Sequence, residues 1–110
     1  MYDIHLIEKT ASYYREGERN ETDTWVTGTW ELADETAQRL ESSGGSVYLH
    51  TKQDAPCYLG GDILNVTKVG IREPGKLQRY EIRFRFNASV MNTRTGDCER
   101  NWSTEMLLER

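Results

Sequence analysis

The chain has 110 residues, 36% of them apolar and 29% charged, with 14 Lys and Arg against 18 Asp and Glu for a net charge of -4. That length suits a single domain burying roughly 65% of its unfolded surface, and the composition excludes a disordered chain of one charge sign. It also excludes a general electrostatic pull toward phosphate backbones or anionic lipid, so nucleic-acid binding would need a local basic face.

Tyr2, Ile4 and Leu6 alternate with Asp3, His5 and Ile7, which predicts a half-buried first strand over 2–8. This opening is no export signal, and no window is apolar enough to span a bilayer, so a soluble, cytoplasmic domain without membrane contact is expected. Residues 11–23 are polar around Gly17 and read as a long loop or the exposed tip of a hairpin. Residues 24–30 return to strand chemistry, with Val26 and Trp30 on one face and Trp25 on the other. Leu32, Thr36, Ala37 and Leu40 then recur at the helical period, and Asp34 and Glu35 sit where a helix N-terminus favours negative charge, predicting one helix near 33–42.

Gly44-Gly45 and Gly60-Gly61 each precede an apolar run, which predicts strands over 46–52 and 62–71 entered from sharp glycine corners, with a turn through residues 53–56 between them. Ile63, Val69 and Ile71 share one register while Leu64 and Val66 share the other, so a bulge or bend is expected near 65–68. Glu73-Pro74-Gly75-Lys76 carries Pro and Gly at the two central positions of a type II turn, making a hairpin with the next strand. In that strand Tyr80, Ile82, Phe84 and Phe86 form one face and Arg79, Glu81, Arg83 and Arg85 the other. A polar loop over 92–101 leads to a last strand marked by Thr104, Met106 and Leu108. The sum is a single mostly β (α+β) domain over 1–110, a small bent sheet or pseudo-barrel of about six strands with one helix, because a flat sheet would leave its edges exposed.

Cys57 and Cys98 are too few for a disulfide framework and are read as reduced thiols. Asn20, Asn65, Asn87 and Asn101 open N-glycosylation-like triplets that Ser and Thr content produces by chance. His5, His50, Cys57 and Cys98 lack paired ligand spacing, so no metal is expected and both histidines read as strand residues at a sheet surface. Cys57 with His50 and Asp54 is the nearest thing to an activated nucleophile, and Asp62, Glu81 and Lys68 the nearest to a carboxylate nuclease. Neither constellation has a motif behind it, so no catalytic residue and no cofactor are assigned.

Aromatic residues near turns are the most unusual feature. Trp25, Trp30, Tyr48 and Tyr58 are the candidate stacking platform for a flat ligand, and Arg83 or Arg85 the candidate contact for a phosphate. The run Ser43-Gly-Gly-Ser-Val-Tyr-Leu-His50, the turn through Pro56 and Gly60-Gly-Asp-Ile-Leu-Asn-Val66 resemble the middle of PUA-like domains of the EVE and ASCH groups, over about 24–108. That resemblance implies a pseudo-barrel holding a nucleic-acid base or nucleotide-like ligand in an aromatic cleft, without catalysis. The alternative is a small acidic protein that acts by occupying a partner's surface.

Overall fold

The computed structural model describes residues 2–8, 13–15, 23–52, 55–91 and 105–109. These residues form β1 (Tyr2–Ile7), β2 (Tyr13–Arg15), β3 (Thr24–Leu32), α1 (Asp34–Ser43), β4 (Ser46–His50), β5 (Leu59–Val69), β6 (Gln78–Phe86), a 3-10 turn (Ala88–Val90) and β7 (Glu105–Glu109). The strands make one mixed sheet in the order β2-β3-β6-β5-β4-β1-β7, in which β1 and β4 run parallel and every other neighbouring pair is antiparallel. Strong bending follows from one contact. Tyr13 on β2 and Tyr58 just before β5 have ring centroids 5.9 Å apart, whereas a flat sheet would hold those strands about 14 Å apart with β3 and β6 between them. The sheet is therefore a half-barrel, and its concave side is the core.

Ile4, Leu6, Val47, Leu49, Ile63, Val66, Tyr80, Ile82 and Phe84 line that side, and α1 closes it with Ala37 and Leu40. Each fully buried aliphatic or aromatic side chain there contributes about 1.5–3 kcal/mol relative to exposure. The helix has no side-chain N-cap at Ala33; it is held by its buried stripe, by a Glu35–Arg39 ion pair and by Gly44, whose φ of 64° supplies the left-handed C-cap. Tyr80 ties the helix to the sheet, its hydroxyl donating to Asp34 Oδ1.

Several local expectations are corrected. Residues 13–15 are a strand paired antiparallel with β3, where a loop or a hairpin tip was expected, and residues 16–22 lie outside the described residues. Gly60 and Gly61 lie inside β5, not at its corner. A Cβ at Gly61 would stand 1.8 Å from the Arg85 carbonyl oxygen, so glycine is required there by close backbone approach. The bulge falls at Leu64, between the Ile63–Phe84 and Asn65–Arg83 pairs. It returns Val66 to the core side, and β5 ends at Val69, leaving Ile71 outside the sheet. An irregularity between Thr27 and Trp30 does the same for β3: Trp25 stands opposite Phe84 and Trp30 opposite Tyr80, so both tryptophans face the core side and not opposite faces. The turn at 73–76 forms as expected, with Gly75 at φ 78° and Lys76 N–H donating to the Glu73 carbonyl at 3.1 Å. The last strand pairs antiparallel with β1, and the loop expected over 92–101 lies outside the described residues. No helix among the described residues is long and apolar enough to cross a membrane.

Candidate functional site

Three regions concentrate chemistry. The first is a buried imidazole pair on the convex face. His5 and His50 are 4% and 0% exposed, which overturns the reading of both as surface strand residues. The parallel β1–β4 register sets His5 beside Tyr48, with ring centroids 4.3 Å apart and planes 7° from parallel, and brings His5 Nδ1 within 2.8 Å of His50 Nε2. The Ala55 carbonyl, 2.8 Å from His50 Nδ1, can only accept. His50 therefore carries its proton on Nδ1, its Nε2 offers a lone pair, and His5 Nδ1–H donates to it. Burial lowers the pKa of His5 to about 4, with the neighbouring His50 adding to the effect. Burial also lowers that of His50, opposed by the bond to Ala55. Both rings are neutral at pH 7.

Cys57, two residues beyond Ala55, is not activated. It is 1% exposed, its thiol donates to the Leu59 carbonyl at 3.1 Å, and burial raises its pKa. A buried, protonated thiol is a packing residue and no nucleophile. Asp54 and Cys98 lie outside the described residues, and no group of three His, Cys, Asp or Glu among the described residues is placed to hold a metal ion. Asp62 and Glu81 are spaced apart on the convex face, opposite Arg85 and Thr67, while Lys68 stands opposite Tyr80 at the helix edge. The fold does not assemble these three.

The second region is aromatic. Trp25 and Tyr13 are 6.1 Å apart at 56°, and Tyr13 and Tyr58 are 5.9 Å apart at 50°. Trp25 Nε1 donates to Asp23 Oδ1 at 3.0 Å, Trp30 Nε1 to Thr27 Oγ1 at 3.2 Å, and the Tyr58 hydroxyl to the Glu8 carbonyl at 3.3 Å. Burial leads the causes that raise the Tyr58 pKa. Thus Tyr58 and Trp25 meet through Tyr13, which sequence reading did not single out. Trp30 sits at the other end of β3, and one face of Tyr48 is covered by His5. Arg83 and Arg85 lie on the convex face, opposite Asn65 and Asp62, so the fold separates them from the tryptophans. Arg79 on the same face pairs with Glu31 at 3.3 Å, and Glu81 lies between Arg79 and Arg83, so the stripe mixes both charge signs.

The third region is the β5–β6 hairpin tip. Ile71 is 96% exposed and Leu77 is 43% exposed. The tip is nevertheless fastened: Gln78 Nε2 donates to the Val69, Gly70 and Arg79 carbonyls at 3.1, 3.3 and 3.1 Å, and Arg72 Nε donates to the Lys76 carbonyl at 2.7 Å. Beside it lies a groove of about 250 Å³ lined by Thr29, Glu31, Val69, Arg72, Leu77 and Arg79 among others. Sequence reading placed Ile71 in a strand register; its position between Gly70 and the Pro74 turn was the available sign that it leaves the sheet. No family model, curated protein or solved structure matches this chain.

Proposed function

We propose that this chain is a binding module that works without catalysis, placing its β5–β6 hairpin tip on the surface of another protein molecule. The observation that carries this reading is Ile71, 96% exposed on a tip whose backbone is held by side-chain bonds from Arg72 and Gln78. An ordered loop loses little conformational freedom on docking, so an apolar side chain presented on it binds at lower entropic cost than one on a loose loop. The state of Cys57, buried and protonated, supports a reading without covalent chemistry. Affinity capture with wild type, Ile71→Asp and Arg83→Ala tests it. Partner recovery lost with Ile71→Asp and kept with Arg83→Ala is the expected result; equal recovery by all three refutes a role for the tip.

A second reading keeps the PUA-like resemblance, with a flat base-like ligand at the aromatic residues. It is favoured by the half-buried run Tyr13, Trp25 and Tyr58. Nuclear magnetic resonance titration with nucleotides and short oligonucleotides separates the two: movement of the Trp25 indole signal favours the ligand, while a silent Trp25 leaves the tip.

A further inference from the structure

We infer that the partner at the hairpin tip includes a second copy of this chain, docked so that Ile71 of each copy enters the groove of the other. This rests on the tip being a docking surface and names its occupant. The argument is self-complementarity, which a two-fold interface requires because one patch must match itself. The patch holds Ile71, almost wholly exposed on the wall of a groove whose lining also includes the apolar Val69 and Leu77. At about 250 Å³ the groove falls below the roughly 300–1,000 Å³ of small-molecule sites, which suits a single side chain. Its rim carries both charge signs, Arg72, Lys76 and Arg79 with Glu31 and Glu73. Glu73 pairs with Lys76 at 3.4 Å and Glu31 with Arg79 at 3.3 Å, on exposed side chains that can exchange partners across a two-fold axis. A partner of one charge sign would be repelled by part of that rim, whereas a rim of both signs allows an inverted copy to set Arg72, Lys76 and Arg79 against Glu31 and Glu73.

The patch is small. Ten residues line the groove, against roughly 20–30 on each side of a standard stable interface. The dimer is therefore weak, in rapid exchange and sensitive to salt.

Sedimentation velocity of the purified chain over a concentration series provides the test. The wild type is expected to move from the 12.8 kDa monomer toward twice that mass as concentration rises, with less dimer at high salt. Ile71→Asp is expected to stay monomeric throughout while keeping the wild-type circular dichroism and melting curve, because Ile71 contributes almost no buried area to the fold. A wild type that remains monomeric across the series, or an Ile71→Asp variant that dimerises equally, overturns the second copy as occupant. Failure of the tip reading itself is distinguishable: a monomeric wild type whose capture of another protein is lost with Ile71→Asp removes only the self-association, and capture unchanged in that variant removes both.

Discussion

The histidine pair makes folding stability depend on pH in a calculable way. An unfolded histidine takes up its proton near 6.5, whereas His5 in the fold does not do so until about 4. Between those values the unfolded chain binds more protons, so the contribution of His5 is whole above pH 6.5 and is lost progressively as pH falls toward 4. Integrating over that window gives a loss of about 2 kcal/mol at about pH 5 and about 3 kcal/mol at its acid end. His50 shifts in the same direction and adds to the loss. Against a total stability of about 5–15 kcal/mol for a domain, this is a large share. The perturbation is His5→Asn, whose amide can still donate to His50 Nε2 but cannot titrate. Thermal melting by circular dichroism at neutral pH and at about pH 5 reads the effect. The wild type is expected to lose about 8 °C more than the variant over that interval, at roughly 4 °C per kcal/mol. Equal pH dependence in the two proteins would refute the assignment of a neutral, buried His5.

Other expectations follow from the core and the backbone. Phe84→Ala empties the centre of β6, where the ring is fully buried, and is expected to cost about 3–5 kcal/mol in a urea unfolding experiment. Gly61→Ala forces a Cβ to within 1.8 Å of the Arg85 carbonyl oxygen; separation of β5 from β6 with a loss of about 2 kcal/mol or more is expected, read as lower melting temperature. The Cys57 thiol, 1% exposed, is expected to resist iodoacetamide in the folded protein and to react once urea unfolds it, as peptide mass spectrometry can follow. Tyr80→Phe removes the hydroxyl bonded to Asp34, with an expected loss of about 1 kcal/mol and the burial of the ring unchanged.

The fold was legible wherever one side-chain pattern met one buried face. The alternation of Tyr80, Ile82 and Phe84 against charged residues can satisfy only one burial direction, and the Pro74-Gly75 turn and the Ala37 and Leu40 stripe are equally local statements, whereas Leu32, counted into that stripe, is the last residue of β3. Counting residues failed at irregularities. One extra residue at Leu64 and one register shift after Thr27 reverse the faces of everything beyond them, and neither leaves a mark in composition.

Nor does sequence spacing show which strands become neighbours. His5 and His50 are 45 positions apart, and only the parallel pairing of β1 with β4 sets their rings in hydrogen-bond contact and buries them. The same holds for Tyr13 and Tyr58, joined by the curvature of the sheet, and for Trp25 and Arg83, which the pleat places on opposite faces. Local chemistry thus determined most of the elements and, between irregularities, the sides they bury. Tertiary structure decided which polar groups share a site, because side chains distant in sequence meet only through strand order, bulges and bend.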